Sequence, residues 1–311
     1  MTPILPDGPV APVQPAAGCP GGRVALVGAG PGDVELLTRK AARLLAEADW
    51  LVHDALVHSD VLALAPQARH IPVGKRAGNP SARQSAINQI LLDCARRGGL
   101  TVRLKGGDPL IFARAQEELD VLRAAGVAVE VVPGISAAQA AYAALGLPMT
   151  ERGQRRALVL ATPQVHAPDQ RNTAVMPGTA ATEMQGNLLQ ALRPVPAPRR
   201  EALRVADIVA DPMLRRWAEA IVAAGSGTLY MAASVADQVR ETLLALGMPG
   251  ETGTLWIADI SLPGQVIIPG RLDKLRPPPD SLRGKPVLLL LGLSDAQTRL
   301  LSQTGPAAHP A

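Results

Sequence analysis

Two glycine-rich turns carry the residues best placed for chemistry. The first reads Gly28-Ala29-Gly30-Pro31-Gly32-Asp33 and follows an apolar run, Val24-Ala25-Leu26-Val27. The second reads Lys105-Gly106-Gly107-Asp108-Pro109 and follows Thr101-Val102-Arg103-Leu104. Glycine and proline at the carboxyl end of a strand expose backbone amides and carbonyls where α/β proteins bind ligands. The same composition also serves an ordinary strand-to-helix turn. The first turn invites a dinucleotide. The fingerprint for one is GxGxxG, however, and Asp33 stands where the third glycine belongs. Asp33 and Asp108 would repel a pyrophosphate and tolerate a cation. S-adenosylmethionine, a sulfonium with an amino acid arm, meets that requirement better than a nicotinamide dinucleotide does.

Just after the second turn stand Arg114 and Glu117, three residues apart at the start of a predicted helix over 114–125. That spacing puts both on one helix face. The pair is either an anchor for an acidic ligand or a surface ion pair worth at most about 1 kcal/mol.

The elements that must hold these turns alternate. After the strand at 23–27, Leu36, Leu37, Lys40, Ala41, Leu44, Leu45 and Ala48 repeat at helical spacing. Trp50-Leu51-Val52-His53 reads as the next strand, and His70-Ile71-Pro72-Val73 as a short extended piece. Ser81-Ala82-Arg83-Gln84 has a capping-box pattern and opens a helix with Ile87, Ile90, Leu91 and Ala95 on one face, ending at Gly98-Gly99. The strand 101–104, the helix 114–125 and the strand 127–132 follow. Pro133-Gly134-Ile135-Ser136 is a third strand-to-helix turn, with Ser136 as helix cap. Strands alternating with helices imply a mostly parallel sheet with helices packed on it. A break at Gly146-Leu147-Pro148-Met149-Thr150 puts a domain boundary near Gly153. The second half reads as a strand at 157–161, an unclear proline-interrupted stretch over 165–211, a helix at 213–224, a strand at 228–232, a helix at 235–246, and strands near 254–258, 266–268 and 286–291. Residues 1–22 read as a disordered leader, and those beyond Ser294 as a short helix and a loose tail.

Composition sets outer limits. At 311 residues, 47% of them apolar, the chain has room for two domains with substantial cores. No apolar run approaches the roughly 20 residues of a membrane span, and no signal-peptide pattern is evident. Cys19 and Cys94 form no CxxC pattern, which fits a reducing cytoplasm. A net charge of +4 and only 2% aromatic residues give no reason to expect nucleic acid. His53, His58, His70, His166 and His309 show no metal-ligand spacing, so no metal is expected.

Taken together, the motifs resemble the uroporphyrinogen-III C-methyltransferases of the tetrapyrrole methylase family. The residues that carry the resemblance are Val27 to Asp33 with Leu36-Leu37-Thr38, Asp54-Ala55-Leu56-Val57, Val73-Gly74-Lys75-Arg76-Ala77-Gly78, Arg103-Leu104-Lys105-Gly106-Gly107-Asp108-Pro109, Pro133-Gly134-Ile135-Ser136-Ala137-Ala138 and Gly146-Leu147-Pro148-Met149-Thr150. The match runs from about Val24 to Arg152 and resumes more weakly from about Thr228 to Gly292. The resemblance implies two α/β domains with mostly parallel or mixed sheets, an active site in the cleft between them, and a homodimer. It implies transfer of two methyl groups from S-adenosylmethionine to ring carbons of uroporphyrinogen III, giving precorrin-2 for siroheme or cobalamin-type synthesis. By resemblance, Pro31, Gly106, Gly107, Asp108, Ile111, Ser136, Ala137 and Met231 would line the methyl-donor site. Asp54 would be the general base and Lys75 a proton donor. Arg114 and Glu117 would face the substrate, whose eight carboxylates suit guanidinium forks, with Arg76 and Arg152 as further anchors.

The chain also departs from the family. FGRGGEE is here Phe112-Ala113-Arg114-Ala115-Gln116-Glu117-Glu118, which implies a tighter, stiffer helix start. THR is Thr150-Glu151-Arg152, and YMG is Tyr230-Met231-Ala232. A late glycine expected at the donor aligns with Ile260, and 165–211 reads as an insertion. Three other readings remain open: a methylase of a later corrin intermediate, a non-catalytic tetrapyrrole or S-adenosylmethionine binder, and a nicotinamide oxidoreductase. The GKR and RLKGGDP segments weigh against the first. The presence of Asp54, Lys75 and Arg114 weighs against the second, and the spacing of the first turn against the third.

Overall fold

The structure is a computed structural model that describes residues 21–74, 84–152, 155–164, 204–294 and 297. The first half runs β1 (Arg23–Gly28), a 3-10 turn (Val34–Leu36), α1 (Arg39–Ala46), β2 (Trp50–His53), α2 (Ser59–Leu62), β3 (Arg69–Pro72), α3 (Gln84–Arg96), β4 (Leu100–Lys105), α4 (Ala115–Ala124), β5 (Ala128–Val132) and α5 (Ala137–Ala144). Its strands form one sheet in the order β3-β2-β4-β1-β5, with every pairing parallel.

Such a sheet is buried on both faces, and β1 shows why. Ala25 and Val27 pack with Ala41, Leu44 and Leu45 of α1. Val24 and Leu26 pack with Ile90 and Leu91 of α3 and Leu119 and Leu122 of α4. Full burial of each large aliphatic side chain stabilises the fold by about 1.5–3 kcal/mol. Local signals agree with this packing. The Thr38 hydroxyl accepts from the Ala41 amide to start α1. Gly98 and Gly99 take left-handed φ of 87° and 76° after α3.

The second half runs β6 (Leu160–Ala161), α6 (Val205–Ala210), α7 (Pro212–Ala224), β7 (Gly227–Tyr230), α8 (Ala236–Ala245), β8 (Gly253–Ala258), β9 (Val266–Arg271) and β10 (Val287–Leu293). Its sheet is mixed, in the order β6-β7-β10-β8-β9, and only β6 and β7 pair parallel. Leu289 and Leu291 of β10 pack with Ile221 of α7 and Leu243 of α8. Leu288 and Leu290 pack instead with Ala138, Ala141 and Tyr142 of α5. The last helix of the first half is therefore the cover of the second sheet, and the two halves share a core.

Several boundaries differ from the sequence reading. The strand at 157–161 reduces to two residues. Residues 205–210, inside the unclear stretch, form α6, with Ile208 buried. The rest of that stretch, 165–203, lies outside the described residues, as do residues 1–20, the pattern Ser81-Ala82-Arg83 and nearly all of the tail. Helix α4 begins at Ala115, because Arg114 sits at φ 53° in the left-handed region and cannot join it.

Candidate functional site

Strands β1, β4 and β5 are neighbours, so their carboxyl-end turns meet. A Cβ on Gly28 would stand 2.6 Å from both Gly107 O and Gly134 Cα, and one on Gly134 would stand 2.3 Å from Gly107 O. Only glycine lets three backbones come this close. Gly30 and Gly107 exchange two backbone hydrogen bonds, at 3.2 and 2.7 Å. Asp108 staples the second turn to the third: its carboxylate accepts from Leu110 N at 2.8 Å and from Gly134 N at 3.1 Å. Asp33 accepts from Glu35 N at 2.9 Å and caps the short 3-10 turn.

Both aspartates are thus engaged by backbone amides, and their repulsion of a phosphate is weaker than the residue types alone imply. The stronger argument against pyrophosphate lies at the start of α5. Ser136 Oγ accepts from Gln139 N at 3.4 Å, Gln139 Oε1 accepts from Ser136 N at 2.9 Å, and Tyr230 OH accepts from Ala138 N at 3.2 Å. The helix terminus that would otherwise suit an anion is filled by the protein's own groups.

That Tyr230 contact brings the second half to the turns. Tyr230 also packs against Phe112, with ring centroids 5.0 Å apart. Met231 follows at φ 56° and is 45% exposed, so it is not a core residue. Its carbonyl accepts from Gln164 Nε2 at 3.1 Å. On the other side, Ser261 Oγ accepts from Asp33 N at 3.1 Å, and a Cβ on Gly32 would meet the Leu262 side chain. Ile260, where a glycine was expected, sends its side chain into the core shared with α5, while Asp259 and Ser261 take left-handed φ of 49° and 66°. Pro31, Gly106, Gly107, Asp108, Ile111, Ser136, Ala137 and Met231 therefore lie on one connected set of turns between the two sheets.

Asp54 follows β2, the neighbour of β4, and its amide donates to Leu104 O at 3.2 Å. Its Oδ1 accepts from Arg103 Nη2 at 2.6 Å, and its side chain is 32% exposed. Arg103 is 2% exposed and also donates from Nε to Glu118 Oε1 at 3.1 Å. The same Glu118 oxygen accepts from Lys105 Nζ at 2.9 Å and Gln84 Nε2 at 3.2 Å. Burial works against the Arg103 charge, but Asp54 and Glu118 outweigh it and raise its proton affinity. Burial, reinforced by Arg103, pushes the Lys105 ammonium below its usual range despite Glu118. Burial likewise lowers His53, whose Nδ1 lies 3.1 Å from Asp54 O.

Asp54 was singled out from the sequence, but the buried network behind it, Arg103, Lys105 and Glu118, was missed. A signal was present: β4 reads as a strand inside a doubly covered sheet, so Arg103 and Lys105, two apart, must share one buried face and need a carboxylate there.

Arg114 and Glu117 form a forked ion pair, with both nitrogen–oxygen distances 2.7 Å, Arg114 half exposed and Glu117 about a third exposed. They stand at the start of α4, whose Glu118 holds Arg103, so one guanidinium separates this pair's helix from Asp54. Arg152 is not brought to the cluster. Its neighbours Glu151 and Arg155 pair with each other and line a crevice of about 580 Å³ with Gly225 and Ser226, at the start of β7, whereas Met231 lies beyond that strand's end. The eight residues of α5 carry the chain from the carboxyl end of β7 toward its start, which is why Ser136 and Arg152 part company. Lys75 and Arg76 lie outside the described residues. Gly74, which precedes them, packs directly on Asp54 and Ala55: a Cβ there would stand 2.0 Å from Ala55 N.

A parallel sheet whose strand-end glycine turns meet a second, mixed sheet defines a two-part α/β protein. The chain belongs to the tetrapyrrole (corrin/porphyrin) methylases, whose family model matches residues 23–208. It is 54% identical over 136 residues to the chloroplastic S-adenosyl-L-methionine-dependent uroporphyrinogen III methyltransferase of Arabidopsis thaliana, covering 43% of this chain and 37% of that protein. It is 38% identical over 275 residues to siroheme synthase 3 of Aeromonas hydrophila, covering 88% of this chain and 49% of that protein. The chain thus spans half or less of the length of these two relatives. Among solved structures, the uroporphyrin-III C-methyl transferase of Thermus thermophilus, complexed with S-adenyl homocysteine, is 32% identical and superposes with a TM-score of 0.63, covering 90% of this chain and all of that one.

Proposed function

We propose that the chain transfers methyl groups from S-adenosylmethionine to two ring carbons of uroporphyrinogen III, giving precorrin-2 by way of precorrin-1, toward siroheme or cobalamin-type tetrapyrroles. The observation that carries this reading is the cluster of turns with Asp54 beside it, in a chain 54% identical over its matched part to a methyltransferase of that name.

The residues fit the donor. The occupied start of α5 leaves no seat for phosphate. The site of a Cβ on Gly106 is open space, and Leu110, Phe112 and Met231 present exposed apolar surface. Pro31, Gly106, Gly107, Asp108, Ile111, Ser136, Ala137 and Met231 would hold it. When bound, S-adenosylmethionine supplies an electrophilic methyl group. Attack by a pyrrole carbon leaves the macrocycle one proton in excess. Asp54 Oδ2, which takes no hydrogen bond from the described residues, accepts that proton. Much of the rate comes from alignment of the two reactants by the turns. Lys75 serves as proton donor, and Arg76 and Arg114 anchor the substrate's carboxylates. Arg152 is left out of the anchor set because of where it lies.

Anaerobic incubation with both substrates, followed by mass spectrometry, tests the reading. Products heavier by one and by two methyl groups are expected, and an unaltered macrocycle would overturn it. Among the described residues no helix is long and apolar enough to cross a membrane. On the family resemblance we further infer a homodimer, and the cysteine usage fits a reducing cytoplasm. Light scattering on the purified chain tests the oligomer, and a monomeric mass would refute it.

A further inference from the structure

We propose that Arg103 is the positioning residue for Asp54 and that Glu118 is the buried anchor that holds Arg103 in place. This rests on the reading of Asp54 given above.

Arg103 cannot meet a substrate itself, because it is sealed inside β4 under α3 and α4. Its reach is nonetheless fully determined. Nε is held by Glu118, Nη1 donates to Leu104 O at 3.2 Å, and Nη2 is left to hold Asp54 Oδ1. A planar guanidinium fixed at Nε and Nη1 can present Nη2 in one direction only. Asp54 is therefore aimed from behind: Oδ1 is tied to Arg103, Oδ2 takes no hydrogen bond from the described residues, and about a third of the side chain stays exposed. The Asp54 main chain is clamped as well, by Leu104 O, by the His53 ring at its carbonyl and by Gly74 against its carbonyl carbon.

Stability does not explain the arrangement. Two buried cations and one buried carboxylate are costly to desolvate, and apolar residues of the same size often serve a core as well or better. Glu118 Oε1 serves three donors while Oε2 has no hydrogen-bond partner at all. The geometry favours holding Arg103 over satisfying Glu118. The ionisable groups near Asp54 among the described residues are Arg103 and Lys105 on β4, Glu118 on α4, His53 on β2 and His70 on β3.

The test uses the full chain with Arg103→Lys, which keeps the charge beside Glu118 but cannot fork to both carboxylates. Glu118→Gln is a second variant in case the first does not fold. A crystal structure of either variant reads the claim directly. The Asp54 carboxylate is expected to leave its single orientation while the main chain of β2 and β4 stays in place. An Asp54 that keeps its orientation in a folded variant overturns the proposal.

Kinetics supply the second arm. Arg103→Lys is expected to lower kcat by about tenfold to a hundredfold, a part of what acid–base catalysis contributes, with KM for S-adenosylmethionine within about twofold. Placed on Asp54→Asn, the same change is expected to cost no more than about twofold, because its effect passes through Asp54. An equal loss in both backgrounds would mean a general structural role and refute the proposal. Should the wild-type chain transfer no methyl group, the functional reading falls, and the crystallographic arm still decides whether Arg103 orients Asp54.

Discussion

Two single-methyl additions at the turns separate the packing of the site from its ligand contacts. In Gly134→Ala the new methyl would stand 2.3 Å from Gly107 O and 2.9 Å from Gly28 Cα. Both obstacles are backbone, on strands locked into the sheet, so neither yields as a side chain would. Overpacking of this kind costs about 1–3 kcal/mol. Pushing Gly107 away also strains its two hydrogen bonds with Gly30, each worth about 1 kcal/mol. The total, about 3–5 kcal/mol, is a large fraction of the roughly 5–15 kcal/mol that holds a domain together. Thermal unfolding by circular dichroism should register a fall of about 10 °C or more. Gly106→Ala is the contrast. Nothing lies within 4 Å of its added Cβ, and Gly106 has no left-handed φ to be strained. Its melting temperature should match or slightly exceed the wild type, because alanine restricts the unfolded chain by about 0.4–1 kcal/mol. Its new methyl stands in open space beside the turn that the proposal gives to the donor, so calorimetry should show S-adenosylmethionine affinity down by tenfold or more. Wild-type melting in Gly134→Ala would refute the close packing of the three turns. Wild-type affinity in Gly106→Ala would remove that turn from the donor site.

Other expectations follow from the same geometry. Arg114→Ala should cripple methylation while donor affinity and stability barely change, because an exposed pair is worth at most about 1 kcal/mol; equal loss of turnover and donor affinity would contradict a substrate anchor. His53 is pushed below its ordinary value by burial. In the unfolded chain it binds a proton from about pH 6.5 downward, before the folded form does, so stability falls as pH drops from there toward the folded value. Replacement by glutamine should flatten that slope in melting curves between pH 7.5 and 5, and an unchanged slope would clear His53 of the effect. Burial raises the Cys94 thiol to about 12, so in a Cys19→Ser background it should resist a disulfide reagent until the protein unfolds. Rapid labelling of the native chain would show the α3 packing to be loose.

Much of the first half was legible because its signals are local. The Ser136 cap, the glycines after α3 and the helical spacing of α1 each act within a few residues, and all three appear where the pattern puts them. The alternation of β1 through β5 with their helices likewise announces a parallel sheet. Arg114 was harder. Its neighbours favour helix, yet Phe112 and Arg114 take left-handed φ of 51° and 53° to bring the chain from the Asp108 turn into α4. Arg152 was harder to place, because a motif carries no information about which end of α5 meets the glycine turns, and its neighbours Glu151 and Arg155 stand near the start of β7.

The amino-acid order alone determined the strand-end turns and the family, since these depend on short-range backbone preferences and on residue type. The tertiary structure alone decided that Asp54 is aimed by a guanidinium buried behind it, that α5 spans both halves and that Ile260 turns inward. Those outcomes depend on which side chains share a face across strands and helices far apart in the chain, and the balance of burial against charge pairing that settles them exists only once the sheets have closed.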